Sequence, residues 1–282
     1  MVGKDFIYMG KRLSDFNCIM VKPNEDDVLA LDRSVVGSEI SVDKVEKKLY
    51  GVKYDTPLVL PMLIILNECN DKSMKITTKT MRELTKWLSS PTTYKPLRVE
   101  PYNDDIREYM GIFTSIKPYV VNGLNGLYLT FTCSSPFAYI PHQHILTLSN
   151  ESVDLIAHND TDEIESYTYP TFTFYGIGQG TLVIKDVTHD YAMSIQTNQS
   201  FSELYIDCQN RRIVGDGKPL KLSDLGYTKD DIKNNNGVFS FNWFRLQNGR
   251  HKINFCFLNQ NKQENDIKIK MEYKTIIKTG GF

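Results

Sequence analysis

The stretch DFIYMGKRLSDFNCIMV, residues 5–21, decides how the rest of the chain is read, because its apolar side chains recur at every second position. Successive side chains of a strand point to opposite faces, so Phe6 and Tyr8 share one face and Ile7 and Met9 the other. The run reverses through Gly10 and resumes with Phe16, Cys18 and Met20 against Ile19 and Val21. This pattern predicts a strand pair with both faces partly covered.

Period two continues outward from there. LYGVKYDTPLVLPMLIIL, residues 49–66, holds a second strand region whose long apolar stretch predicts a strand covered on both sides. One segment breaks the rule. In TTKTMRELTKWLSSP, residues 77–91, Met81, Leu84, Trp87 and Leu88 recur at helical spacing, Thr77 or Thr78 can cap the start, and Pro91 follows the end. One amphipathic helix on a sheet is predicted. YMGIFTSIKPYVV and LYLTFTCSSPFAYI then flank NGLNG, residues 122–126, whose Gly and Asn residues supply the positive φ angles a hairpin loop needs.

A domain boundary is read within PFAYIPHQH, residues 136–144, dividing the chain into 1–140 and 141–282. Beyond it, YPTFTFYG, GTLVIKDV, SELYIDCQNRRIVGD, GVFSFNWFRL, HKINFCFL and DIKIKMEYKTIIK read as strands separated by turn signals, the pattern of an antiparallel β-sandwich. SDLGYTKDDIKN, residues 223–234, is at most a short helical insert with Thr228 as its cap. The expected fold is therefore mainly β, with a single helix in the first half.

Composition narrows the function classes. With 282 residues and 41% hydrophobic content, two domains of ordinary size can each bury a core. Lys and Arg number 33 against 34 Asp and Glu, so no global field draws in nucleic acid or an anionic membrane. Neither half departs from this balance: 18 basic and 17 acidic residues precede Tyr139, and 15 and 17 follow from it onward. Cys18, Cys69, Cys133, Cys208 and Cys256 are scattered, without a CxxC, and read as buried thiols in a reducing compartment. PLVLPMLIIL, residues 57–66, is too short to span a bilayer, and the first residues do not form a signal segment. A soluble protein kept inside a cell is expected, so the Asn-x-Ser/Thr triplets at Asn150, Asn159 and Asn198 are read as chance.

Chemical motifs were sought in the same way. GIGQG, residues 176–180, is followed by a strand instead of the helix whose N-terminus would hold a phosphate, and reads as a turn or bulge. HQH, residues 142–144, puts two imidazoles on one face of an extended segment, but a third metal ligand, such as His158, His189 or an acid, is not fixed by spacing. HNDTDEIE, residues 158–165, lacks the glycine and terminal Glu of a calcium loop and reads as solvated. Asp104 and Asp105 adjoin in a turn-like stretch, and no GxSxG, HExxH or Cys/His pair stands out. No catalytic, cofactor-binding or metal residue is assigned. Phe239, Phe241 and Trp243 share one face of an alternating run and Phe244 takes the other; the first three read as core, with a sugar-stacking platform as the rival reading.

In their order along almost the whole chain, these pieces resemble the distal tail protein family (Dit) of long, non-contractile-tailed bacteriophages. FIYMGKRLSDF resembles that family's opening strand, Gly turn and Ser-Asp-Phe return; LYGVKYDTPLVLPMLII its next strand pair; and MRELTKWL its single helix. FTSIKPYVVNGLNGLYLTFTCSSPFAY resembles the hairpin and junction closing its first domain, while LYIDCQNRRIV, FRLQNGRHKINF and KIKMEYK resemble its galectin-like sandwich.

The resemblance implies a tail-tube-like, ring-forming β-barrel or sheet domain at 1–140 and a galectin-like β-sandwich at 141–282. It implies a structural, non-enzymatic baseplate component of the virion tail, assembled in the bacterial cytoplasm as a homo-hexameric ring. Its partners would be the tail tube protein, the tail-tip hub and a receptor-binding protein, with phage DNA in transit only. The opening strands would then find a neighbour for their exposed edge in the next subunit. A glycan-binding module contacting host cell wall is the alternative reading of the second half.

Overall fold

A computed structural model describes residues 4–21, 33–37, 49–54, 57–67, 76–100, 106–121, 124–149, 152–225, 242–259 and 266–278. The chain divides into two compact units, Met1–Ile140 with Ile276–Phe282, and Pro141–Thr275.

Unit 1 begins with β1 (Asp5–Tyr8), β2 (Lys11–Arg12) and a 3-10 turn, Leu13–Phe16. It continues with β3 (Cys18–Val21), β4 (Arg33–Gly37), β5 (Leu49–Tyr54) and β6 (Val59–Leu66). Helix α1 (Thr78–Ser89), β7 (Lys95–Glu100), β8 (Arg107–Val121), β9 (Leu124–Cys133) and the start of β10 (Ala138–Leu148) complete it. Pairing gives an antiparallel sheet in the order β2, β1, β7, β8, β9, β6, β3, with β4 and β5 forming a separate ribbon. The sheet is open: no barrel closes, because β2 and β3 end the path.

The opening run is therefore not one strand pair. Phe6 and Tyr8 are fully buried as the alternation predicts, but β3 pairs with β6, Cys18 opposite Leu66 and Val21 opposite Leu63. The cause lies in the polar residues between. Asp5 accepts hydrogen bonds from the amides of Phe6 and Ser14 and from the Ser14 hydroxyl, while Asp15 accepts from the Arg12 amide. These bonds wind residues 13–16 into the turn, and Asn17 leaves it at φ 55°.

Helix α1 forms where predicted. Thr77 accepts from the Thr80 amide at 3.1 Å, and Leu84, Trp87 and Leu88 face the core. Trp87 stacks on Phe6 and Phe16 at 5.7 and 4.9 Å and donates its indole N–H to the Tyr8 carbonyl at 3.0 Å. Strand β6 departs from its reading. Leu60, Met62, Ile64 and Leu66 are buried, but the alternate positions are only half-covered and Val59 is exposed. In the region read as a five-residue loop, β8 runs to Val121 and β9 starts at Leu124, so Gly126 lies within a strand opposite Ile65. Its lack of a side chain serves close approach, since a Cβ there would come 2.4 Å from the Ile64 carbonyl oxygen. Residues 122 and 123 lie outside the described residues.

Unit 2 takes up the remainder of β10 and adds β11 (Ser152–Asn159), β12 (Thr171–Ile177), β13 (Gly180–Asp186) and β14 (Tyr191–Thr197). It ends with β15 (Phe201–Asp207), β16 (Arg212–Gly215), β17 (Lys218–Pro219), β18 (Gly249–Asn259) and β19 (Ile267–Ile277). Two antiparallel sheets, ordered β17, β16, β15, β12, β19, β10 and β11, β18, β13, β14, enclose one core. Phe172, Phe174, Phe244 and Phe255 interlock there at centroid distances of 5.6–6.4 Å. This is a β-sandwich.

Residues 242–248 are not a regular strand, unlike the reading of GVFSFNWFRL; a single bridge, Leu246 to Thr168, holds the segment. The face assignment also changes. Phe244 is fully buried and Trp243 packs beside the core half-covered, while Phe239, Phe241 and most of 223–234 lie outside the described residues.

Candidate functional site

Two features of the described residues depart from an ordinary folded surface, one in each unit. In unit 1 it is the outward face of the β3–β6–β9–β8 part of the sheet. Register and alternation put Ile19, Val21, Val59, Pro61, Leu63, Ile65, Tyr128, Thr130, Thr132 and Ile112 on that face. All are half-exposed or exposed and uncharged; on the β8 side the same register adds Ser115 opposite Thr130 and the exposed, charged Lys117 opposite Tyr128. At the other margin β3 pairs on one side only among the described residues, so its other row of backbone groups presents an edge. A largely uncharged patch beside such an edge is the surface chemistry of a protein interface.

In unit 2 it is a polar cluster on the inner side of the sandwich. Asp186, the last residue of β13, and His251 on β18 occupy inward positions of their strands and are 1% and 0% exposed. Asp186 Oδ2 lies 2.6 Å from His251 Nδ1 and 2.8 Å from Nδ1 of His189, which stands in the turn after β13. The other carboxylate oxygen accepts from the Thr188 amide at 3.0 Å, and His251 Nε2 lies 2.9 Å from the Gln247 carbonyl oxygen. That carbonyl also accepts from Asn159 Nδ2 at 2.8 Å, and Thr168 donates its hydroxyl to Asn159 Oδ1. The network ties β11, the 242–248 segment, the 187–190 turn and β18 together.

The residues singled out in the sequence fare unevenly. His142 and His144 stack on Tyr273 at 4.7 and 5.8 Å, and His142 bonds the Thr275 hydroxyl, so the HQH segment is packed against a tyrosine. His189 does join a constellation, but with Asp186 and His251. Two signals pointed to that pair: each is a polar residue at an inward position of an otherwise apolar alternation, Leu182-Ile184-Asp186 and His251-Ile253-Phe255. Within HNDTDEIE, Asn159 and Thr161 are buried rather than solvated, which leaves no room for a glycan at Asn159. GIGQG links β12 to β13 as a turn, its Gly180 amide donating to the Thr197 hydroxyl. Asp104, Asp105, Asn150 and Cys69 lie outside the described residues.

Three of the thiols are inert by environment. Burial pushes Cys18 up to about 11 and Cys133 and Cys208 up to about 12, so little thiolate forms at neutral pH. No helix among the described residues is long and apolar enough to cross a membrane.

Comparison with known proteins gives two likenesses. Residues 1–135 match the family described as phage tail protein N-terminal domain. The solved structure of SPP1 Dit, described as a paradigm of the hub adsorption apparatus in phages infecting Gram-positive bacteria, aligns over 97% of this chain and 98% of its own length. The TM-score is 0.55 at 12% identity, a likeness of fold. No curated protein matches the chain. Both findings support the resemblance drawn from the sequence.

Proposed function

We propose, from the match of residues 1–135 to a phage tail protein N-terminal domain and the likeness of the chain's fold to that of Dit, that this protein is a structural distal tail component of a long-tailed phage or prophage. Its copies form a hexameric ring joining the tail tube to the tail-tip hub and host-recognition proteins. The role is geometric and needs no catalytic group. It is assembled in the host cytoplasm and ends in the virion tail, with DNA passing through the bore.

The observation that carries this reading is the largely uncharged, half-exposed face of unit 1, with Lys117 on its β8 side, ending in strand β3, which pairs on one side only among the described residues. A closed ring uses heterologous contacts, in which that surface of one copy meets a different surface of the next. Burying it removes apolar area from water and pairs the strand edge. The near-neutral first half suits a conduit, since a strongly basic bore would retain DNA. The glycan-binding alternative is not carried forward: neither comparison supports it, and the buried Phe244 and half-covered Trp243 offer no stacking platform.

The test is solution mass by light scattering with negative-stain imaging, for the chain alone and mixed with its tail tube and hub proteins. A ring with a central hole is expected, and Leu63→Asp, which puts a carboxylate in the middle of the face, should return the mass to that of one chain. A wild type that stays monomeric under all these conditions overturns the proposal.

A further inference from the structure

The Asp186–His189–His251 cluster raises a charge-balance question that the tail role does not answer. The Gln247 carbonyl can only accept, so His251 Nε2 carries its proton and donates at 2.9 Å. A neutral His251 then presents a bare lone pair at Nδ1, aimed at a carboxylate oxygen 2.6 Å away. Two acceptors that close repel unless a positive charge lies between them. His189 Nδ1 converges on the same oxygen from the turn, and the donor atoms of all three residues lie within 4.8 Å of one another.

We propose that this cluster is a binding site for a divalent transition metal of the zinc type. Two imidazole nitrogens and one carboxylate oxygen form a three-ligand set that zinc accepts, with a fourth position left for water. His189 is 28% exposed at its side chain and gives the site its opening to solvent. The surrounding bonds are those that orient metal ligands. The ring N–H of His251 is fixed by a backbone carbonyl, and the second oxygen of Asp186 is held by the Thr188 amide. Tetrahedral zinc bonds of about 2.0–2.2 Å set donor atoms roughly 3.3–3.6 Å apart, so the contacts of Asp186 Oδ2 with the two ring nitrogens require an opening of about 0.5–1 Å. The 187–190 turn, which carries His189, can supply it. A bound metal would crosslink β13, that turn and β18.

The experiment uses the untagged full chain, stripped with a chelator, exchanged into metal-free buffer and titrated with zinc chloride by calorimetry. One zinc per chain is expected, with a rise of a few degrees in melting temperature when zinc exceeds its dissociation constant about 100-fold. His189→Ala should retain the fold, because that side chain sits at the surface, and should weaken zinc binding at least 10-fold and abolish the thermal shift. Asp186→Asn should do the same where it folds. Failure of the wild type to take up zinc in a one-to-one ratio, or equal uptake by His189→Ala, overturns the proposal and leaves a proton as the charge holding the cluster together. The outcome is independent of ring formation.

Discussion

The outer surface of the unit 1 sheet and the outer surfaces of the unit 2 sandwich are built from the same antiparallel strands and finished differently. On unit 2, Lys252 pairs with Asp154, Lys185 with Asp190 and Lys270 with Glu272, at 2.8–2.9 Å. Such exposed pairs contribute little stability, but they make a surface content to face water. Over the β3–β6–β9–β8 face of unit 1 the corresponding positions hold mostly Ile, Val, Pro, Leu, Tyr and Thr, with Ser115 and Lys117 on the β8 side. Inner faces decide that each unit folds. Outer faces separate a surface studded with ion pairs from one that is largely uncharged.

The largest expected effects test whether the two units hold themselves together separately, as their two distinct hydrophobic clusters suggest. Trp87→Ala removes the ring packed between Phe6 and Phe16, and Phe255→Ala removes one packed against Phe172 and Phe174. Each should cost about 3–5 kcal/mol. In scanning calorimetry each should lower a different transition and leave the other in place; a common shift would break the comparison.

Next in size are the buried polar clasps. Asp5→Ala strands the Ser14 amide and hydroxyl and the Phe6 amide, and Asn159→Ala strands the Thr168 hydroxyl and a share of the Gln247 carbonyl. A cost of about 1–3 kcal/mol is expected for each by denaturant unfolding. A smaller cost for Asp5→Ala would mean that the 3-10 turn is held by packing of Leu13 alone.

Outer-face changes should be smaller still. Leu63→Asp and Leu258→Asp each place a carboxylate at an incompletely covered strand position, one per unit, and each should change monomer stability by no more than about 1 kcal/mol. Only Leu63→Asp should change the assembled mass. If Leu258→Asp dissolves the ring as well, the contrast between the two surfaces is wrong.

The inner faces were legible where alternation fixes which side chains turn inward, as at Phe6 and Tyr8, Leu182 and Ile184, and Ile267 to Tyr273, whereas the unbroken apolar run of β6 hid that only Leu60, Met62, Ile64 and Leu66 turn inward. The helix was legible from its spacing and its Thr77 cap. Pairing was not, since nothing local says that β3 leaves β1 for β6; that choice is made by the bonds of Asp5 and Asp15. The segment around Phe244 misled because four aromatics within six residues, three of them alternating, mimic a strand, while the backbone of its described part is held by a bridge to Thr168. The metal-type cluster was hidden by distance. His251 lies 65 residues beyond Asp186, and the two meet only because β13 and β18 pair with Asp186 opposite Ile253.

The smallest expected effect concerns acid. It falls on unit 2, which holds all five histidines. His144 supplies a case whose sign can be worked out. Its ring stacks on Tyr273, its Nε2 is buried with no hydrogen-bond partner among the described residues, and burial lowers its pKa below 6.5. Tyr273, pushed up to about 12 by burial, stays neutral throughout. As pH falls through about 6.5 the unfolded chain takes up a proton that the folded ring still refuses, so stability declines with acidity until the folded ring titrates too. Because the side chain is only half-covered, the loss is small. His144→Phe keeps the stacking and deletes the proton. Between pH 7 and pH 5 its melting temperature should therefore fall less than that of the wild type; the other titrating groups are common to both chains and cancel in the difference. An equal fall in the two would show that the ring meets its proton in the folded state as readily as in water.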